Sequence, residues 1–398
     1  MTKKDILELK KRLKKNKCTF NKLCGCYVDI NKKKILNFSK NFLNIEEEEI
    51  NKYLEIAKKI LSGNIGNNIL NIEFKNTKIQ NFLIEINKSN LKNDELLNKL
   101  YNLIIDNYKT DKNYLILLYS DTYDIINKTN DNIKIDESEY VFEYIICAIC
   151  PVELTKPGLG YIEKENRIGS RIRDKIVTMP EIGFIFPAFS ERNTDVNSII
   201  YYTKNVKDTQ NNFIENVLGC EPKKTITEQK EIFKEIISLS LKESNENLED
   251  IFIEIQENIN SYVDEKLNIY NKEDLLLDKK AISEIISNID ISEEKTEKII
   301  ETYNNEFNKN IPLAENMIDK KLLKIGEQKR NEKALKNQVI KLSKQIEDIK
   351  NQEKENNIIL KTAYKKDIKT EIIKGKKYIL IPIEENDTIN INGKNTDI

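Results

Sequence analysis

The residue types best suited to exacting chemistry are concentrated between Pro151 and Pro222. This stretch holds four of the six arginines, five of the seven prolines and five of the eleven glycines. Elsewhere lysine carries almost all of the positive charge, and Asn, Ile, Lys and Glu are the common residues. Glycine, proline and arginine provide backbone angles and a rigid guanidinium that other residues cannot replace. The clustering therefore predicts that 151–222 is the structurally most demanding part of the chain.

One candidate site in this stretch combines acidic, basic and phenolic side chains. Its members are Glu181, Arg192, Asp195, Tyr201, Tyr202 and Lys204. If 195–204 is a helix, Asp195 lies near its N-terminus and Tyr202 lies on the same face. Arg192 would then pair with Asp195 or bind a phosphate or carboxylate from outside. The alternative, which we favour, is a structural clamp beside core phenylalanines, because perturbed charges often have structural roles.

A second candidate is a basic loop that combines arginine with glycine. It contains Lys164, Arg167, Arg171, Arg173 and Lys175, close to Gly158, Gly160 and Gly169. Arginine beside a glycine backbone suits a phosphorylated or polyanionic ligand. The glycines do not complete a dinucleotide-binding fingerprint, and the sequence has no phosphate-binding loop of the GxxxxGK[ST] type. The alternative is a solvated surface hairpin with Arg171 and Arg173 on one side.

The absence of histidine limits the available chemistry more than any residue that is present. It excludes Ser-His-Asp and Cys-His catalysis, histidine-bearing zinc sites and any imidazole base. Cys147 and Cys150 are three residues apart, which in a strand places their thiols on opposite faces, so we predict core cysteines, no metal site and no cofactor. A metal-dependent hydrolase using Glu181 and Asp195 stays as the least favoured hypothesis.

The positions of apolar residues predict an α+β fold with a mostly antiparallel sheet and flanking helices. A near-continuous apolar run, Tyr140–Cys150, predicts a central strand buried on both faces. A hairpin is predicted from Tyr114–Tyr119 and Tyr123–Ile126, with its turn at Ser120 and Asp121. The α+β domain is expected to span residues 1–222.

After Pro222 the strand-like apolar pattern gives way to helical periodicity, which predicts an all-helical domain over residues 223–312. A capping box formed by Thr225 and Glu228 begins it, and helical periodicity covers roughly 226–243, 246–267, 279–289 and 292–308.

The remaining residues, 313–398, are predicted to form a charged helix and a small β segment. Within the helix 327–356, apolar residues alternate by four and three, as in a coiled coil, over about two heptads. They are Leu335, Val339, Leu342, Ile346 and Ile349. A terminal hairpin is predicted between Lys377–Ile383 and Thr388–Ile391.

Several segments resemble a family of Gram-positive anaerobes numbered 4317 among the domains of unknown function. The central one is Gly183-Phe-Ile-Phe-Pro-Ala-Phe-Ser190, followed by Arg192-Asn-Thr-Asp195 and Tyr201-Tyr202-Thr203-Lys204. Matching segments lie near Lys3–Ile6, Gly25–Val28, Val217–Cys220, Gly375–Pro382 and Ile391–Gly393. The resemblance covers nearly the whole chain and implies a bacterial source, but no activity, ligand or catalytic residue.

The lack of histidine, of a phosphate-binding loop and of metal-ligand spacing, together with abundant solvated helix, favours a non-enzymatic interaction or scaffold protein that self-associates or binds a protein partner. The net charge of −1 does not favour nucleic acid, and no stretch of 18 apolar residues predicts a membrane span. The charged N-terminal sequence lacks a signal peptide, which predicts a cytoplasmic location. The alternative function is a binding module for an anionic ligand, and its proposed contacts are Arg167, Arg171, Arg173, Arg192, Asp195 and Tyr202.

Overall fold

The computed structural model describes residues 2–128, 134–170, 173–241, 248–266, 275–356, 368–383, 389–391 and 394–396. The chain divides into two compact units, Met1–Asp319 and Lys320–Ile398, and each is described by itself. The division into domains 1–222, 223–312 and 313–398 stays a prediction.

Alternating and continuous apolar runs in the first unit form an eight-stranded antiparallel sheet. Its strands are β1 (Lys22–Val28), β2 (Lys34–Asn41), β3 (Ile69–Glu73), β4 (Asn113–Lys128), β5 (Lys134–Leu154), β8 (Lys175–Val177), β9 (Ile182–Phe186) and β12 (Ser198–Thr203). The strand order is β2–β1–β4–β5–β9–β12–β3, and β8 pairs with the end of β5. The described residues of this unit also form two short hairpins: β6 (Leu159–Ile162) with β7 (Arg167–Ser170), and β10 (Ala188–Ser190) with β11 (Asn193–Asp195). The predicted α+β class is confirmed.

Helices cover both faces of the sheet and give it two hydrophobic cores. One core contains residues of α1 (Lys3–Arg12) and α2 (Glu47–Ile60). The other contains residues of α3 (Thr77–Lys88), α4 (Asp94–Asn107) and α5 (Asn211–Asn216). Because both faces are covered, central strands must be apolar at consecutive positions.

The strand β5 confirms a central strand buried on both faces from Tyr144 to Cys150, whereas Val141 and Glu143, within the predicted run Tyr140–Cys150, are exposed. Residues Tyr144–Cys150 are all buried, and their side chains alternate between the two cores. Cys147 belongs to the core beside α3 and α4, whereas Cys150 belongs to the core beside α1 and α2. The strand periodicity therefore separates the two thiols, as predicted.

The predicted turn at Ser120 and Asp121 is wrong, because β4 runs without a break from Asn113 to Lys128. Polar residues in an apolar pattern usually mark a turn, since a buried polar group needs a hydrogen-bond partner. Here the partners come from distant parts of the chain. The Ser120 hydroxyl donates to Asn90 Oδ1 at 3.2 Å, and Tyr144 donates to Asp121.

The helices predicted after Pro222 are confirmed, with slightly shorter bounds. They are α6 (Ile226–Ser240), α7 (Leu248–Lys266), α8 (Lys279–Ser287) and α9 (Glu293–Phe307). The capping box at the start of α6 is present: Glu228 N donates to Thr225 Oγ1, and Thr225 N donates to Glu228 Oε2. These helices share a third core, to which the short helix α10 (Ala314–Met317) also contributes.

The described residues of the second unit form one long helix and two small hairpins. The helix α11 spans Lys320–Asn356. The hairpins pair β13 (Lys369–Ile373) with β14 (Lys376–Leu380), and β15 (Ile389–Ile391) with β16 (Lys394–Thr396). The predicted pairing of Lys377–Ile383 with Thr388–Ile391 is wrong. Lys374 and Gly375 both have positive φ, which allows a two-residue turn and pairs β14 with the preceding strand.

Candidate functional site

The helix considered for residues 195–204 is not formed, and β11 and β12 lie there instead. All six residues of β12 are buried between β9 and β3, and five of the six have the β-branched or aromatic side chains that suit a strand. Tyr201 donates its hydroxyl to Thr209 O at 2.8 Å. Tyr202 is 1% exposed, and burial raises its pKa to about 12. The structure therefore places Tyr202 in the core and not on a binding surface.

Arg192 and Asp195 lie at opposite ends of the hairpin formed by β10 and β11. Glu191 and Arg192 form its two-residue turn, and both have left-handed backbone angles, with φ of 51° and 61°. Arg192 Nε lies 3.3 Å from Glu8 Oε1 in α1. Asp195 accepts hydrogen bonds from Asn197 N at 3.0 Å and Ser198 Oγ at 2.6 Å. Arg192 thus joins the hairpin to α1, while Asp195 closes the turn into β12.

Arg192 belongs to a polar cluster beneath α1, which we call the α1 clamp. Its members are Glu8, Arg12, Thr19, Asp121, Tyr123, Tyr144 and Arg192. Asp121, at the centre, is 1% exposed. Thr19 donates to its Oδ1 at 2.6 Å, and Tyr144 donates to its Oδ2 at 2.5 Å. Arg12 Nη2 lies 3.6 Å from the same Oδ2.

A second part of the α1 clamp surrounds Tyr123. The guanidinium carbon of Arg12 lies 3.9 Å from the centre of the Tyr123 ring, close enough for a cation–π interaction. The Tyr123 hydroxyl donates to Glu8 Oε1 at 2.5 Å. Through Arg12 and Glu8, α1 therefore contacts both Asp121 and Tyr123 of β4.

The electrostatics of the α1 clamp favour a structural role over catalysis. Burial, together with the charge of Asp121, raises the pKa of Tyr144 well above 10, so this phenol remains a hydrogen-bond donor. Both oxygens of Asp121 accept hydrogen bonds, and the carboxylate is closed off from solvent. A general acid or base must reach a substrate proton, which this geometry does not allow. The cluster fixes α1 on the sheet.

Sequence reasoning missed the α1 clamp except for Arg192. Asp121 was assigned to a turn, and Arg12 lies outside the arginine-rich stretch. A usable signal was present, because Arg12 is one of only six arginines in a chain that otherwise uses lysine. Arginine suits such sites because its planar fork donates to several acceptors at once.

The predicted basic loop forms the exposed β6–β7 hairpin and the residues that follow it. Arg167 Nε pairs with Glu165, and Arg173 Nε donates to Thr155 O at 2.8 Å. Arg171 lies outside the described residues. Lys164 and Lys175 are exposed. The described arginines contact their own loop, and ligand binding by this loop stays a prediction.

The thiols do not form a reactive or metal-binding centre in the part of the chain that the structure describes. Five cysteines are buried and Cys18 is half-buried, and all six are free. Burial raises the pKa of Cys18 to about 12 and that of Cys26 to about 11, which suppresses thiolate formation. Among the described residues, no group of three cysteine or acidic side chains could hold a metal ion.

The second unit exposes its apolar side chains. Every residue from Glu327 to Asn351 is exposed, and so is every residue of β13 and β14. The exposed residues include five on α11 that we call the seam: Leu335, Val339, Leu342, Ile346 and Ile349. Each seam residue is more than half exposed. No described helix, α11 included, is long and apolar enough to cross a membrane.

Comparisons with known proteins give one match. A search of curated proteins and a search of solved structures return no match. The family model described as a domain of unknown function, DUF4317, matches residues 1–394, nearly the whole chain. The chain therefore belongs to the DUF4317 family.

Proposed function

We propose that this protein is a non-enzymatic, cytoplasmic interaction protein that binds its partner through the second unit. The observation that carries the proposal is the exposure of the seam on α11. Monomeric proteins rarely expose contiguous apolar patches unless the patch mediates binding. A stripe of five large aliphatic side chains along one helix is such a patch.

The β hairpin of the second unit supports the same conclusion. Both β13 and β14 are exposed along their whole length, including Ile372 at 70% and Ile379 at 65%. A two-stranded hairpin without a packed face is marginally stable in water. The described parts of this unit therefore bury little apolar surface of their own, and a partner would supply the missing packing.

The chemistry of the first unit supports a non-enzymatic role. The chain has no histidine, the α1 clamp is internally paired, and burial raises the pKa of the thiols. Six free cysteines are typical of a reducing compartment, which supports the cytoplasmic location.

Site-specific photo-cross-linking in cells that produce the full-length chain tests the proposal. A photoreactive residue in place of Leu342, within the seam, is expected to form covalent adducts with a defined protein. The matched control places the same residue at Asn337, which is also exposed on α11 but lies off the seam. Equal adduct formation at both positions, or none at either, would overturn the proposal.

A further inference from the structure

The seam has the spacing of a coiled coil. Its residues follow each other at intervals of four, three, four and three, an average of 3.5 residues. A straight α-helix has 3.6 residues per turn, so a 3.5 repeat keeps a continuous stripe when two helices supercoil with a left hand. The seam rises about 21 Å along α11, at 1.5 Å per residue.

The branching of the seam side chains indicates two strands. With Leu335 at position d of the heptad, Val339 and Ile346 take position a, and Leu342 and Ile349 take position d. β-Branched residues at a with leucine at d favour parallel dimers over trimers and tetramers. Both a positions are β-branched, and two of the three d positions are leucine.

The residues beside the seam indicate a parallel arrangement of two copies. In a parallel pair, position g of one helix faces position e of the next heptad on the other. This places Gln338 opposite Ser343 and Gln345 opposite Lys350, without like charges. An antiparallel pair in which Ser343 faces Ser343 of the second copy would place Lys336 opposite Lys350, where two like charges repel.

We propose that α11 forms a parallel two-stranded coiled coil with a second copy of this chain. The inference rests on the proposed function, because it names the partner of the same surface. The occupant is a second copy because the seam is complementary to itself: its a, d, e and g positions all meet acceptable partners under twofold symmetry.

Two neighbouring residues of α11 provide a matched test. Val339 is 60% exposed and lies in the seam, whereas Ile340 is 56% exposed and lies at position b, outside it. Sedimentation equilibrium of the full chain is expected to give twice the chain mass of 46.6 kDa. Val339→Lys is expected to weaken dimerisation by at least about tenfold, and Ile340→Lys is expected to leave it unchanged. Equal effects of the two substitutions would overturn the assignment of the seam.

Cysteine cross-linking tests the orientation. Leu335→Cys is expected to form a disulfide between identical positions under mild oxidation, because parallel copies bring the two residues 335 together. Asn337→Cys, on the outer side of the helix, is the control and is expected not to cross-link. The native thiols give little background, since five are buried and burial raises the pKa of Cys18 to about 12. Circular dichroism of each variant confirms that the fold is kept.

The outcomes separate this inference from the proposed function. A trimer overturns the two-stranded coiled coil, and cross-linking of Leu335→Cys only to an Ile349→Cys chain overturns the parallel orientation. Either result leaves association through the second unit standing. A monomer at every concentration overturns the second copy as partner, and photo-cross-linking at Leu342 then decides whether a different protein takes its place.

Discussion

Removing the Asp121 carboxylate is expected to loosen α1 and to destabilise the first unit. In Asp121→Ala, Tyr144 loses its buried acceptor and Arg12 loses the carboxylate that lies 3.6 Å away, whereas the exposed Thr19 keeps its hydrogen bond to Thr122 O. A buried polar group without a partner is costly, because it has given up its hydrogen bonds with water. The substitution therefore tests whether the α1 clamp holds the helix on the sheet.

The size of the effect follows from burial. Breaking a buried ion pair by removing one partner costs about 3–5 kcal/mol. The Arg12 side chain is 17% exposed and can be partly solvated after the substitution. This places the expected loss in the free energy of unfolding at the lower end, about 3 kcal/mol, or roughly a hundredfold in the unfolding equilibrium.

The assay combines urea unfolding with limited proteolysis. Unfolding can be followed by tyrosine fluorescence, since the chain has 17 tyrosines and no tryptophan. Trypsin reports on α1 directly, because that helix contains five lysine and arginine residues. We expect Asp121→Ala to lower the urea midpoint and to speed cleavage within α1.

Asp124→Ala is the matched control, because Asp124 lies on the same strand and is exposed. Its effect is expected to stay within about 0.5 kcal/mol. If the two variants shift the midpoint equally, or if Asp121→Ala destabilises the protein without faster cleavage in α1, the reasoning about the α1 clamp is refuted.

Three further predictions concern the sheet, the response to pH and the thiols. An added Cβ at Gly183 would lie 2.4 Å from the carbonyl oxygen of Cys147. Gly183→Ala should therefore lower the free energy of unfolding, measured by urea titration, by more than about 2 kcal/mol. Gly158→Ala, which meets no atom within 4 Å, should be nearly neutral, and equal effects would contradict the packing argument. Burial raises the pKa of Cys26 from 9.0 to about 11, so the folded state keeps a proton that the unfolded chain loses. The stabilisation that comes from the protonated Cys26 thiol is therefore lost between pH 9 and about 11. From about pH 6 to 8 the urea midpoint should stay constant, because the chain has no histidine to titrate there. A step within that neutral range would refute this prediction. Finally, native protein at pH 8 should react with a thiol reagent at five cysteines only as fast as it unfolds, and rapid modification of all six would contradict their burial.

The sequence predicted those elements whose signal is local and regular. The strand Tyr140–Cys150 and the four helices after Pro222 follow from apolar periodicity and from a capping box, which depend on neighbouring residues. The helix that became α11 was predicted for the same reason. What the pattern could not show is that the seam stays uncovered by the described chain, because burial depends on the whole fold.

The predictions from sequence were wrong where buried polar residues find their hydrogen-bond partners in distant parts of the chain. Ser120 and Asp121 have the composition of a turn, but Asn90, Thr19 and Tyr144 provide the hydrogen bonds that allow a continuous strand. No local pattern reveals such partners. The helix considered for residues 195–204 is absent for a similar reason, since burial on both sides of β12 overrides the spacing of Asp195 and Tyr202.

The positions of the arginines show that the scarcity of arginine predicts buried polar contacts better than the clustering of arginines in the sequence. The cluster between Pro151 and Pro222 supplies Arg192 to the α1 clamp, but Arg167 and Arg173 contact their own surface loop. Arg12, far from that cluster, lies against the buried Asp121 and over the ring of Tyr123. A lysine has no planar fork to donate to Thr19 and the backbone while stacking on a tyrosine. In a chain this rich in lysine, each arginine is therefore a separate candidate for a position where lysine cannot make the contacts of the planar guanidinium.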